Sequence, residues 1–558
     1  MYTTRMRTSL AFLLFGLVAC GGGAPEGSTT PAAGGGSATT SKPTAAGDVS
    51  FDVPNIEIKG IAFEPQALGT PGMPLAEPKG QRAPLTGAKM DAQIAKHRET
   101  VTKTKDAVQK QAQAALLATM LYHKSKETPA DQQKLWTEAR QALRDSIPGG
   151  DYAKADEITL RMLGSYELLL GDIPNAEKAW GALVANSPKS KDLQYNKAWW
   201  AYTLLLEYKN TEALAAVKDE AISDKVPELA YVAAWAKWRT GDSAGAWQAI
   251  VTALKGWGNN PGRDALDRDV LLLAGRAKVG MPAAVDALSP IFGKGADQLY
   301  ELYAKLGLQS YQFAGRWADG VAALEKALTT IGAKVPANDL PVIKYQQGDY
   351  TVRLDDPATA AKYALEALKA LPACGAKCSN QDKENVVESV YIMGRLFHIL
   401  YATAHDDRYY QPALDLYQAS VPLITMNEQT HTQAEKDQAN LLATFKTMKH
   451  DAGKYDKDAI GALLKRHNQE IQACYEQVLS ANPKLGGTLT LNLEANPQGQ
   501  ITGASSEPKA GMQDMSAVAG CVVERAKAWR LPRKVNGNGT GTARMKLIYN
   551  LSKRTDMK

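Results

Sequence analysis

Scarcity narrows this sequence first. Only five cysteines and seven histidines occur in 558 residues. The histidines (97, 123, 398, 405, 431, 450 and 467) show no paired ligand spacing, so no metal centre is expected. His398 and His405 are seven apart and share a helix face, but a surface or core placement is the ordinary role for such residues. Aromatic residues are only 7%, beside abundant alanine, which favours close-packed helices over a β-sandwich. Neither sign of charge dominates. A net +6, from 65 Lys/Arg against 59 Asp/Glu, is too mild to mark a nucleic-acid binder. No GxxxxGK[ST], GxSxG, HExxH or EF-hand pattern is present. The expectation is therefore a non-catalytic protein with no cofactor and no metal.

Long apolar runs are also missing, apart from one at the start. Arg5 and Arg7 precede an apolar stretch from Leu10 to Val18. A bilayer span needs about 20 residues, so 1–19 reads as a secretory signal peptide. Its end, Leu17-Val18-Ala19-Cys20, resembles the bacterial lipobox. That resemblance implies lipidation of Cys20, and Gly21 in place of aspartate implies the outer membrane, with the protein facing the periplasm. Residues 20–50 are small, polar and rich in Pro and Gly, a composition that makes a flexible linker. Residues 51–88 keep the Pro and Gly but regain Phe51, Ile56, Ile58, Ile61 and Phe63, which predicts an extended segment lying along the folded body.

From 89 to 458 the pattern is helical: N-terminal helices over 89–156, a recurring unit over 157–425 and connecting helices over 426–458. The clearest unit runs from Ile158 to Pro188, with Leu163-Gly164, Gly171-Asp172, Ala176, Trp180 and Pro188. It resembles a tetratricopeptide repeat, in which small residues let two helices approach and glycine makes the turn between them. The small-residue position recurs at 176, 213, 246, 284, 320, 360 and 413, giving spacings of 37, 33, 38, 36, 40 and 53. The resemblance implies an α-solenoid whose first helices line a groove for a protein partner or an extended peptide. The groove positions expected here are Arg161, Ser165, Tyr231, Trp235, Trp238, Tyr345, Asp349, Tyr391, Arg395 and His398. Trp235 and Trp238 stand three apart on one face, a spacing that suits either a hot-spot pair or two rings buried between repeats.

The period changes to two after Asn482-Pro483. Leu489, Leu491 and Leu493 alternate, a Pro-Gln-Gly turn follows, and the chain returns. A helix carrying Met515, Val518, Cys521, Val522, Ala526 and Trp529 comes next, then a strand with Met545, Leu547, Tyr549 and Leu551. The order is α-β-β-α-β, a small α+β domain over 459–558. Cys474-Tyr475-Glu476, Leu485-Gly486-Gly487, Gly499-Gln500-Ile501, Cys521-Val522 and Trp529-Arg530-Leu531-Pro532 make it similar to the TonB-like C-terminal domain of the AgmX and PglI gliding-motility proteins. The resemblance implies an envelope domain that pairs with a partner by strand addition at a sheet edge. It also implies a setting such as a gliding-motility or secretion complex. TonB itself hangs from an inner-membrane helix that is not seen here, so energy transduction is not carried over.

Residues 460–558 hold 14 Lys/Arg and 7 Asp/Glu. The run Arg525, Lys527, Arg530, Arg533 and Lys534 marks the end of the second helix of this domain. Helix-end capping explains it electrostatically. Direct binding of peptidoglycan by a basic terminal domain is the alternative function. With Cys20 used for lipid, the other four cysteines are expected as two disulfides, Cys374 with Cys378 and Cys474 with Cys521.

Overall fold

Asparagine and aspartate begin many of the helices, and their positions explain much of the folding pattern. The computed structural model describes residues 49–69, 86–404, 406–425, 427–447, 464, 466–508, 515–531 and 542–554. The segments expected as signal peptide (1–19) and, for almost all its length, as linker (20–50, with Cys20) fall outside them, as do Arg533 and Lys534.

The protein is mostly helical, with a small sheet. Three helices, α1 (Gly87–Lys103), α2 (Ala107–Glu127) and α3 (Gln132–Ser146), come first. The next seven are α4 (Glu157–Leu169), α5 (Ile173–Asn186), α6 (Leu193–Leu206), α7 (Asn210–Val217), α8 (Pro227–Arg239), α9 (Ser243–Trp257) and α10 (Arg263–Arg276). They are followed by α11 (Met281–Phe292), α12 (Ala296–Lys305), α13 (Trp317–Ile331), α14 (Leu340–Arg353), α15 (Pro357–Cys374), α16 (Asn380–Ala404), α17 (Tyr410–Ser420) and α18 (Glu428–Thr447). Last are α19 (Asn468–Leu479) and α20 (Met515–Ala526).

Asp156, Asp172, Asp242 and Asp356 cap α4, α5, α9 and α15, each side chain accepting from a backbone N–H three residues on. Gly171 and Gly241 take left-handed φ values of 75° and 97° in the turns before α5 and α9. Consecutive helices pack in pairs: α4 on α5, α8 on α9, α14 on α15 and α16 on α17. The small residues at 176, 213, 246, 320, 360 and 413 are buried on the second helix of such pairs, and Ala284 is buried on α11. At Gly164 a methyl would lie 2.5 Å from the Trp180 indole nitrogen, so α4 and α5 approach at a distance only glycine permits. Trp180 is fully buried and stacks on Trp199, with ring centroids 6.1 Å apart.

The chain divides into two compact units. One gathers 60–294 with 475–485 and the end of the chain; the other gathers 295–474 and 486–552 with the first strand.

The sheet of the second unit has the order β1-β4-β2-β3, with β1 (Val49–Gly60), β2 (Gly487–Ala495), β3 (Ile501–Pro508) and β4 (Ala543–Lys553). β2 runs antiparallel to both neighbours, Leu491 facing Ser506 on one side and Leu547 on the other. Leu489, Leu491 and Leu493 are buried with Met545, Leu547, Tyr549 and Leu551. Helix α20 packs against β2 and β3.

The α-β-β-α-β order is present, but the sheet has a fourth strand that the periodicity did not place. Residues 51–60 are not simply extended along the body; they form the strand flanking β4. Ile56 and Ile58 are buried while Glu57 and Lys59 are exposed, and Glu57 Oε1 accepts from Asn550 Nδ2 at 3.0 Å. Pro54 masks this strand in the sequence, yet proline is tolerated at a sheet edge.

Candidate functional site

Residues 61–69 leave β1 without regular structure and lie against the first helices of the pairs in their unit. Side chains hold this segment chiefly by its main chain. The Ile61 N–H donates to Glu476 Oε1 at 3.1 Å, and the Phe63 N–H to Ser480 Oγ at 2.9 Å. Arg239 Nη2 donates to the Phe63 carbonyl at 3.0 Å. Tyr202 Oη donates to the Pro65 carbonyl at 3.4 Å, and the Ala67 N–H donates to Tyr231 Oη at 3.0 Å. The Gln66 N–H serves Asp269. A methyl at Gly262 would collide with the Ala67 carbonyl, so the segment reaches the start of α10 where only glycine lets it pass.

Two side chains of the segment are also read. Glu64 accepts from Tyr208 Oη at 2.6 Å. The Phe63 ring lies 5.5 Å from the Arg276 guanidinium, which is itself ion-paired with Glu476 at 2.6 Å with both side chains 3% exposed. Arg239 is wedged between the Tyr208 and Trp235 rings, at 4.8 and 5.5 Å, and burial pushes its pKa down to about 10.

Asp269 is the buried centre of this face. Its Oδ2 accepts from Tyr231 Oη at 2.5 Å and from Trp235 Nε1 at 3.3 Å. Burial pushes its carboxyl up to about 7; the hydrogen bonds from Tyr231 and Trp235 and the nearby Arg268 charge oppose the rise. A phenol that donates to Asp269 keeps its oxygen lone pairs turned to Ala67, so carboxylate, phenol and peptide form one chain of hydrogen bonds.

No model of a known protein family matches the chain, and no curated protein does either. Its function is read from geometry.

The ten positions expected to line a groove divide sharply. Ser165, Tyr231, Trp235, Trp238, Tyr345, Asp349 and Tyr391 are buried. Of the tryptophan pair, Trp235 is wholly enclosed and Trp238 is 2% exposed, and the rings meet edge to face at 5.3 Å; neither is a free hot spot. The reason lies in α8: eleven of its thirteen residues are buried, partly beneath residues 63–67. Tyr231 nevertheless touches a peptide, the protein's own.

Arg161 is tied to Glu157 and Asp192 at 2.8 and 2.9 Å, and Ser165 bonds back to the Arg161 carbonyl. Asp349 pairs with Arg353, and Tyr391 donates to Asp437 at 2.6 Å. Arg395 is accessible, and His398 is half-buried beside the Tyr417 hydroxyl at 3.2 Å, with burial pulling its pKa down. Ile392 and Ile399 are exposed on the same helix as Arg395, at positions that share its face.

Both expected disulfides are present, Cys374–Cys378 and Cys474–Cys521, each with Cα atoms 5.7 Å apart. One turn before Cys474, the buried Glu470 carboxylate accepts from Trp317 Nε1 at 2.7 Å, Trp529 Nε1 at 2.8 Å and His467 Nδ1 at 2.9 Å. His467 stacks on Trp529 with centroids 4.3 Å apart. Burial opposes ionisation of Glu470, but the His467 charge and the three donors prevail and hold its pKa below the usual range. Arg525 donates to the carbonyls of Ala314 and Gly315 at the end of a helical turn, and Arg530 to those of Ala528 and Trp529. These two members of the basic run therefore serve helix ends.

Sequence reasoning missed Tyr202, Tyr208, Arg239, Asp269, Arg276 and Glu470. Asp269 stands in the charged string Arg263-Asp264-Ala265-Leu266-Asp267-Arg268-Asp269, which reads as a solvated face. Its one distinguishing signal is position: it precedes Val270 and Leu271 in the apolar stripe of α10. Among the described residues no cluster of metal-ligating side chains occurs and no helix is long and apolar enough to cross a membrane.

Proposed function

We propose that this chain is a non-catalytic scaffold lipoprotein of a bacterial envelope, anchored to the outer membrane through Cys20 and facing the periplasm. In this reading the paired helices form a tetratricopeptide-like solenoid, and the C-terminal sheet is a TonB-like domain of the AgmX/PglI kind. Partners are envelope proteins or extended peptides, gathered in a complex such as a gliding-motility or secretion machine.

The observation that carries the reading is the row of first-helix side chains, Tyr202, Tyr231, Arg239 and Asp269, bonded to the main chain of residues 63–67. A surface that satisfies an irregular peptide's N–H and C=O groups one after another is built to bind peptides. The alternative, direct peptidoglycan binding by the basic terminal domain, is less well supported, because Arg525 and Arg530 are engaged within the fold.

A photo-crosslinking amino acid at Arg395 of the full-length protein tests the scaffold reading in intact cells. It is expected to give a discrete protein adduct that the same group at exposed Lys105 does not give. No adduct at Arg395 removes the partner surface from the first helices of this region.

A further inference from the structure

We infer that residues 61–68 occupy their face as an intramolecular ligand, and that the face accepts in trans an extended peptide carrying an aromatic residue, then an acidic residue, then proline. This rests on the peptide-binding reading above and specifies its ligand.

The chemistry of the face selects that sequence. At the aromatic position, Phe63 is only partly buried and its ring is met by the Arg276 guanidinium, which Glu476 holds in place. A cation over a ring favours an aromatic side chain over an aliphatic one. At the next position, Glu64 is exposed to solvent and accepts from the Tyr208 hydroxyl, whose ring lies 4.8 Å from the Arg239 guanidinium, so an acidic side chain is favoured there over a basic one. Pro65 is buried, its carbonyl is bonded by Tyr202, and no acceptor bonds its nitrogen. Proline needs no partner for its nitrogen and enters the face already extended, so it loses little entropy on binding.

At Gln66 and Ala67 the face reads main chain, the two N–H groups meeting Asp269 and Tyr231 with the Gln66 side chain exposed, while the Ala67 and Leu68 side chains are buried. The segment buries the apolar side chains of Pro65, Ala67 and Leu68, and beyond that its main chain is met by polar groups aimed at peptide atoms, which an extended segment of similar sequence also supplies. The internal segment therefore competes with a partner, and the partner's apparent affinity falls by the fraction of time the face is free.

The test uses the full chain and a labelled peptide of sequence GIAFEPQALG. A variant carrying Phe63→Ala and Ala67→Pro loosens the internal segment and leaves every residue of the face intact. The peptide is expected to bind this variant at least ten-fold more tightly than it binds the unaltered chain, and Arg239→Gln in the same background abolishes the gain. A peptide with alanine at the Phe and Glu positions binds neither protein. Equal binding of both peptides, or none to a variant whose circular dichroism and melting match the parent, overturns the inference.

The unaltered chain supplies a second readout independent of any substitution. Excess peptide is expected to raise deuterium exchange at residues 61–68, and unchanged exchange counts against competition. If the peptide fails while Arg395 still crosslinks a partner, only this inference falls. If both fail, the scaffold reading falls with it.

Discussion

Two buried carboxylates, Asp269 and Glu470, respond to pH in opposite directions, and each makes a separable prediction. Burial raises Asp269 from an ordinary 3.8 to about 7. Between those values the native state binds more protons than the unfolded chain, so this residue's contribution declines as pH rises from about 4 to about 7, and levels off above. Asp269→Asn is expected to flatten that part of the melting profile; an unchanged slope assigns it to other groups. Glu470, held below its ordinary pKa, contributes above the unfolded value, and the contribution is lost as pH falls through the lowered native one. Glu470→Gln places an amide N–H₂ among three donors and leaves their hydrogen bonds short of acceptors. The expected cost is about 3 kcal/mol, read by denaturant titration followed through tryptophan fluorescence.

At the scale of elements, what could be read from the sequence was what is local. Ala176, Ala213, Ala246 and Ala360 show themselves through spacing, because each lies on a helix that packs against the helix just before it. Gly164→Ala is expected to lower stability by about 1–3 kcal/mol, since the added methyl meets the Trp180 ring. The α8 helix was harder, because a helix buried on nearly every side has no polar face to set its register. β1 was not readable as part of the sheet, since its partner β4 lies almost five hundred residues on. The disulfides differ in the loops they close, 47 residues for Cys474–Cys521 and 4 for Cys374–Cys378. Loop entropy gives about 4 and about 2 kcal/mol. Cys521→Ser is therefore expected to lower the melting temperature more than Cys378→Ser; the reverse order would show that the loop length is not what matters.

For the molecule as a whole, the thiol balance joins the proposed anchor to the observed pairs. With Cys20 acylated and two disulfides formed, the protein unfolded without reductant is expected to show no free thiol. One or two reactive thiols would break that balance. Cys20→Ser is expected to move the protein from the membrane fraction to the soluble one, and retention in the membrane fraction would remove the lipid anchor from the reading.

The placement of β1 has a further consequence, for the order in which the molecule is made. β1 is synthesised almost five hundred residues before its neighbour β4, so the sheet cannot close until everything between them has been delivered. A product cut short anywhere before 543 leaves the backbone N–H and C=O groups of β1 without the strand that pairs with them. Such a strand is a ready substrate for a protease, so a chain that lacks β4 is expected to be degraded sooner than one that has it.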